Sequence, residues 1–313
     1  MIVSIALNPS IDKLAVVDRV ISGEIHRPRS VIAVAGGKGL NAARSAKALG
    51  AEVIAVGIFG GCAGQWVVDS LEEEGVEVSA AWCSAETRSS LSVYSIQDGT
   101  LTEFYEPGPP VTAEEWEHFR TVVKRAVVHA GWVTLSGSLP RGVPVSAIGE
   151  LIAGCREAGA KVAVDLRGEA LVAAFGQRPD LVKVNLAEAT EALGRTAGSE
   201  PDGWPEIAGM ARALRMNADS DAAVVTCGSR GAVMCYGEEL WMGTTDAVGP
   251  YPVGSGDAFL GAMVFEIDRT GDPVEGFRLG MAAGAANAES VGAGRFDLDA
   301  VCRMVPDVTR LSR

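Results

Sequence analysis

No stretch of this 313-residue chain runs for about 18 apolar residues without a charge, so a membrane-spanning helix is not expected. None of its six cysteines (residues 62, 83, 155, 227, 235 and 302) forms a Cys-x-x-Cys pair. That argues against a zinc site and for reduced thiols in a cytoplasm. Histidines number three, His26, His118 and His129, and none stands in a motif with cysteine or carboxylate. Positive charge is short: 27 Lys and Arg face 40 Asp and Glu, a net charge of −13, which disfavours nucleic acid as a partner. The six tryptophans are spread widely and offer bases no stacking platform. Two nucleotide fingerprints are also missing. G-x-x-x-x-G-K-[ST] occurs nowhere, and no strand leads into G-x-G-x-x-G. Residues 1–7 carry no basic region and read as a first strand, not a signal peptide.

What the chain does have is apolar residues, 48 %, ample for a large core, and glycine-rich turns set ahead of helices. The most informative is Pro252-Val-Gly-Ser-Gly-Asp257, just before the apolar run 258–267, which reads as a helix. Proline stops helix upstream, and Gly254 and Gly256 let the backbone turn tightly and approach a ligand. The helix then presents free N–H groups and its positive dipole end, an anion site, with Asp257 in its mouth. An Asp that merely caps a helix explains the six residues as well. The chemical reading is a phosphate held by backbone amides, with a carboxylate beside it to take a proton from an attacking hydroxyl.

Taken in order, a short β-rich run at 2–7 is broken by Asn8-Pro-Ser-Ile-Asp12, which sets Asp12 just past a strand's C-terminal end. Alternating segments at 13–17 and 29–34 read as strands of a second sheet. Ala35-Gly-Gly-Lys-Gly-Leu-Asn41 then enters a helix over 42–49, a second glycine-plus-lysine arrangement at a helix start. Two runs, 87–96 and 100–105, flank Asp98-Gly99, a strong hairpin signal. This hairpin, with the segments at 13–34, makes a small sheet standing off the main body, a candidate lid carrying Arg88. Thr112-Ala-Glu-Glu115 is a capping box. Beyond it, strands and helices alternate to about residue 231, and a helical Ala/Gly-rich segment covers 273–290. The length allows one large α/β domain or two ordinary ones; with no long linker in the chain, the expectation is a single α/β domain over 1–313: a doubly wound, mostly parallel sheet flanked by helices, with a lid of about 12–34 and 86–106.

In such a sheet the strand ends share one edge. Asn185 and Glu188, spaced i, i+3 at a helix start, share a face there. They read either as a cap with a first-turn acid, or as oxygen ligands for Mg²⁺, which keeps several waters and uses few carboxylates. Two anion sites, a carboxylate and a magnesium-type pair on one edge are the parts that join a nucleoside triphosphate to a second anionic molecule.

These motifs, in this order, resemble the ribokinase-like sugar kinases of the phosphofructokinase B family across essentially the whole chain. Asn8-Pro-Ser-Ile-Asp12, Gly36-Gly-Lys-Gly-Leu-Asn41 and Ser136-Gly-Ser-Leu-Pro140 look like its sugar-site motifs, and Val253-Gly-Ser-Gly-Asp257 like its catalytic motif. The resemblance implies ATP and Mg²⁺ as cofactors and leaves monovalent-cation dependence open. It gives Asp257 the role of base, helped by Gly254, Ser255 and Gly256. Asp12, Gly37, Asn41 and Ser138 face the sugar; Lys38 and Arg88 hold a substrate phosphate, with Arg27 a weaker candidate. Lys183, Asn185, Thr226, Gly228, Gly231 and Asn287 belong to the nucleotide, and Glu188 with Asn185 to the metal. The Asn-Pro-Ser-Ile-Asp and Ser-Gly-Ser-Leu-Pro segments point to the hexose-phosphate branch, with 1-phosphofructokinase, tagatose-6-phosphate kinase and the minor 6-phosphofructokinase. Three positions depart from its pattern: Val184 for proline, Arg167 for a small hydroxyl residue, and Tyr251-Pro252 for Asn-Pro or Thr. A ribokinase-type enzyme for an unphosphorylated sugar or nucleoside, and a sugar-phosphate-binding protein without catalysis, are the alternatives. A nicotinamide dehydrogenase is disfavoured by its missing fingerprint. The exposed edge of a lid sheet suggests a homodimer surface.

Overall fold

Short uncharged, mostly apolar runs such as Ile2–Ala6 and Trp132–Ser136 are buried along their whole length. Strands of that kind belong in the middle of a parallel sheet covered on both faces. The computed structural model describes residues 1–195, 203–245, 249–304 and 306–311. Among these, ten strands form one sheet. Their spatial order is Asp307–Arg310, Glu239–Thr244, Ala232–Tyr236, Ala222–Thr226, Leu181–Asn185, Lys161–Asp165, Trp132–Ser136, Ile2–Ala6, Val53–Gly60 and Glu77–Cys83. Neighbours from Ala222–Thr226 to Glu77–Cys83 pair in parallel, and the first three extend the sheet antiparallel.

Side chains alternate between two cores. Val3, Ile5, Val133, Leu135, Val162, Val164, Val182 and Val184 face one side, with the helices Ala113–Ala126, Ala147–Glu157 and Trp204–Ala218 over them. Ile2, Ala6, Trp132, Ala163, Leu181 and Val224 face the other, under Lys38–Ala48, Gly61–Glu73, Ser255–Thr270 and Pro273–Glu289. The doubly wound architecture is therefore as expected. The antiparallel hairpin Ala232–Tyr236/Glu239–Thr244 and the edge strands Glu77–Cys83 and Asp307–Arg310 go beyond the strands read from the sequence. No helix among the described residues is long and apolar enough to cross a membrane.

A separate four-stranded sheet has the order Ser30–Gly36, Ser10–Val17, Arg88–Ser95, Thr100–Tyr105. Its second strand starts at Ser10, so Asp12 lies on a strand rather than in a turn. The register gives the sheet two unlike faces. Asp12, Ser90 and Tyr105 lie on the face toward a cleft at the C-terminal edge of the large sheet. Lys13, Leu91 and Phe104 lie on the opposite, outward face.

Candidate active site

The loop before Ser255–Thr270 follows from its residues. Gly254 caps the helix with φ of 82°, a left-handed backbone that other residues adopt at a cost. The first helical bond runs from Ala258 N to Gly254 O at 2.8 Å, so the amides just before it stand outside the helical ladder. Ser255 N is engaged by Pro252 O at 3.1 Å, leaving the amides of Gly256 and Asp257 as the open anion donors of that turn. Asn287 is buried and holds the loop from behind rather than lining the cleft. Its Nδ2 donates to Val253 O (2.9 Å) and Ser255 Oγ (3.1 Å), and its Oδ1 accepts from Gly294 N.

Two lysines and two carboxylates meet beside this turn. Asp165, buried at the end of its strand, accepts from Lys38 Nζ on one oxygen and from Lys183 Nζ on the other, both at 2.6 Å. Lys38 Nζ also donates to Glu188 Oε1 at 2.8 Å. A Cβ added at Gly256 would stand 2.7 Å from Lys183 Nζ, so the ammonium lies against the glycine turn. Burial alone would make Asp165 hard to ionise, yet the two ammonium groups outweigh it and hold its proton affinity below that of an ordinary carboxylate. Lys38 is likewise penalised by burial, but Asp165, Glu188 and Asp257 raise its affinity for its proton above the usual. Lys38, expected to hold a substrate phosphate, lines the cleft with its ammonium donating to two carboxylates. The helix Lys38–Ala48 also starts earlier than expected, at Lys38, behind an N-cap Gly37 whose φ is 103°.

Asp257 has the opposite balance. Burial, then the negative charge of Asp165, push its pKa up to about 7, against the pull of Lys183, Lys38 and a hydrogen bond from Asn41 Nδ2 (2.8 Å). Asn41, read as a sugar ligand, thus spends its amide on Asp257. Asn185 and Glu188 form the reciprocal capping box of Leu186–Ala192: Asn185 Oδ1 accepts from Glu188 N, and Glu188 Oε2 from Asn185 N, each at 2.9 Å. No group of three or more His, Cys, Asp or Glu able to hold a metal is found among the described residues. Each Glu188 oxygen already accepts one hydrogen bond and keeps a second lone pair, so the pair suits Mg²⁺ directly or through water.

The cleft encloses about 530 Å³, within the range of small-ligand sites. It joins both halves of the predicted set. Asp12, Gly37, Lys38, Asn41 and Arg88 line one end, Lys183, Asn185, Thr226, Gly228 and Gly231 the other, and Gly254, Ser255, Gly256 and Asp257 stand with them. Arg88 is half-buried and makes three hydrogen bonds of 3.3 Å, to Ser90 Oγ, Glu106 O and Asn8 O. Its Nε is buried without a partner. Burial and the nearby charge of Arg167 lower its proton affinity, against Asp12 and Tyr105. Asp12 Oδ1 accepts from Ser10 Oγ at 2.6 Å. Ser138 takes a hydrogen bond from Asn8 Nδ2 (3.0 Å) and lies outside the cleft lining, and Arg27 is exposed on a connection away from it. Glu103 and Tyr105, lining the cleft from the small sheet, and Asp165 carried no assignment in the sequence reading. An acid directly after the buried run Val162-Ala-Val164 was the available signal for Asp165.

The departures from the family pattern fall in different places. Val184 is packed in the core and Arg167 is exposed at a helix start. Tyr251 meets Tyr94 of the small sheet edge-on at 5.6 Å.

The profile of the pfkB family of carbohydrate kinases matches residues 2–300. Among solved structures, phosphofructokinase-2 from Escherichia coli in complex with potassium superposes with a TM-score of 0.88 at 27% identity, over 97% of each chain. A possible 1-phosphofructokinase from Thermotoga maritima gives 0.89 at 24% identity over 100% of each chain. Arabidopsis thaliana ribokinase complexed with ribose and ATP gives 0.72 at 20% identity over 96% of this chain, a likeness of fold.

Proposed function

From the premise that the chain belongs to the pfkB family, and so is a carbohydrate kinase and phosphotransferase, we propose that it transfers the γ-phosphoryl of ATP to a hydroxyl of a phosphorylated ketohexose. Fructose 1-phosphate is the first candidate acceptor and tagatose 6-phosphate the next. The observation that carries this reading is Arg88, a half-buried cation with a bare Nε and no carboxylate ion pair among the described residues, on the cleft wall beside Asp12. In a protein of net charge −13 an arginine left in that state is suited to a phosphate monoester, which it can grip with two N–H groups.

Phosphoryl transfer then uses the chain's own groups as follows. The acceptor hydroxyl gives its proton to Asp257 while its oxygen bonds the γ-phosphorus. The bond from that phosphorus to the β,γ-bridging oxygen breaks, and the electron pair leaves with ADP. The amides of Gly256 and Asp257, with Lys183 against the turn, stabilise charge on the transferring group. Lys38 keeps Asp165 and Glu188 from repelling the triphosphate. Magnesium, when bound through Glu188 and Asn185, supplies further neutralisation of the phosphates. The small sheet acts as a lid carrying Arg88, Glu103 and Tyr105, so acceptor binding closes the site and excludes water. Its outward face is the surface for a second copy of this chain. The unpaired state of all six cysteines supports a reducing compartment such as the cytoplasm.

The test is a panel of fructose 1-phosphate, fructose 6-phosphate, tagatose 6-phosphate, ribose and a nucleoside with ATP and Mg²⁺, run on wild type and Arg88→Ala. A sugar phosphate should be the best acceptor. Arg88→Ala should raise its KM by about 10–100-fold, the worth of one charge-assisted contact, and leave the KM for ATP nearly unchanged. Ribose outcompeting every hexose phosphate would replace this reading with a ribokinase-type one. An absence of any acceptor-dependent ATP consumption would favour a binding protein.

A further inference from the structure

Arg44 is 5 % exposed, lies behind the cleft, and has no part in the chemistry above. It sits three residues after Asn41 on the helix Lys38–Ala48, so the two side chains share a face. Its Nη1 donates to Asn41 Oδ1 (3.2 Å) and to Ala293 O (2.9 Å), its Nη2 to Ala35 O (2.6 Å), and its Nε to Glu74. On the other side of the same amide, Asn41 Nδ2 donates to Asp257 Oδ2 at 2.8 Å. A guanidinium has donors only, so it accepts just one orientation of the Asn41 amide, oxygen toward Arg44 and nitrogen toward Asp257. In the flipped orientation the Asn41 amide oxygen would face Asp257 Oδ2, and its nitrogen would face the Arg44 donor. A donor aimed at a carboxylate favours its ionised form.

We propose that Arg44 is a positioning residue for phosphoryl transfer: by fixing the Asn41 amide it keeps a donor on Asp257 and so favours the ionised form that accepts a proton. This rests on Asp257 as the base. The other charged groups that face Asp257 are Asp165 and Lys183 from neighbouring strands, Lys38 from the helix that carries Arg44, and Tyr105 from the small sheet. Around Arg44 they are Glu74, Arg295 and Asp12. Because Glu74 also binds Arg295, removing Arg44 does not strand a lone buried carboxylate.

The experiment is a ¹³C NMR titration of the Asp257 carboxyl, assigned by its loss in Asp257→Asn, together with kcat against pH for the best sugar phosphate of the panel. The variants are Arg44→Gln, whose amide permits the flip, Arg44→Met, which keeps an apolar stem without a buried charge, and Asn41→Leu. Each should raise the Asp257 pKa by about one unit, lowering kcat roughly tenfold at the acidic end and restoring it at alkaline pH. Arg44→Gln on the Asn41→Leu background should add nothing, since both act through one hydrogen bond. An unmoved Asp257 titration in both Arg44 variants, or an additive shift in the double variant, would overturn the proposal. Failure of the base reading shows separately, as Asp257→Asn retaining kcat within a few-fold.

Discussion

Asp257 holds two requirements in opposition, and this can be measured. As a base it must be ionised, but burial and Asp165 favour the protonated form and push its pKa up to about 7. An acid that binds its proton more tightly in the folded state costs stability as pH rises. The cost starts near the ordinary value of 3.8, grows up to about 7 and is complete above it. Asp257→Asn removes that cost and keeps a side chain suited to the first turn of a helix. It should therefore be more stable than wild type at pH 8, by about 1–4 kcal/mol, with the difference shrinking at pH 5, as urea unfolding would report. The same variant should lose roughly 10²–10⁴ in kcat, and wild-type kcat should rise with pH through about 7. A destabilised variant at pH 8 would mean that the carboxylate is compensated better than its neighbours suggest. Sequence located Asp257 because glycine, a helix start and an acid coincide within six residues. It placed Lys38 and Asn41 at the site without their hydrogen-bond partners, because a motif says which residues gather, not which of them bond to one another. Their partners, Asp165 and Asp257, are more than a hundred residues away in the chain.

The helices and strands were legible where local signals act alone. Thr112 and Glu115 make both bonds of their capping box, and the hairpin around Asp98-Gly99 forms, with Gly99 at φ of 63° in the loop between Ser95 and Thr100. Elements defined by distant partners were not. Asp307–Arg310 has four residues and exists by pairing with Glu239–Thr244, some 65 positions earlier. The hairpin Ala232–Tyr236/Glu239–Thr244 did carry a signal, since Gly237-Glu238 is a two-residue loop between apolar runs. The helix Leu186–Ala192 shows how an element and a site can share residues. Glu188 caps it, neutralises Lys38 and faces the proposed magnesium. Glu188→Gln keeps an oxygen for the Asn185 amide but removes the charge. The helix should remain, with unchanged far-ultraviolet circular dichroism, while the Mg²⁺ concentration for half-maximal rate rises several-fold. An unchanged Mg²⁺ titration would reduce Asn185 and Glu188 to a cap.

At the scale of the molecule, the small sheet presents an uncovered face whose composition does not suit water. Register puts Val31, Ala33, Lys13, Leu91 and Phe104 on that face, and Val31, Leu91 and Phe104 are 59%, 36% and 60% exposed. Contiguous exposed apolar side chains of this kind mark an interaction surface. The sheet's two outer strands also leave unpaired edges. The inner face of the same strands carries Asp12, Arg88, Glu103 and Tyr105 into the cleft. Because side chains alternate along a strand, Phe104 points out between two residues that point in. A second copy docked on the outer face would therefore hold steady the strand that carries Glu103 and Tyr105 over the acceptor. Wild type should sediment as a dimer or larger assembly at micromolar concentration. Leu91→Glu combined with Phe104→Glu should shift it toward monomer, since two buried charges without partners oppose association. The KM for the sugar phosphate should rise on dissociation and the KM for ATP should stay near its wild-type value, because Thr226, Gly228 and Gly231 stand on the large sheet's edge. A monomeric wild type, or a double variant that sediments like wild type, would remove this face as the interface. A monomer with unaltered KM for the sugar phosphate would instead show that the lid holds its shape without a partner.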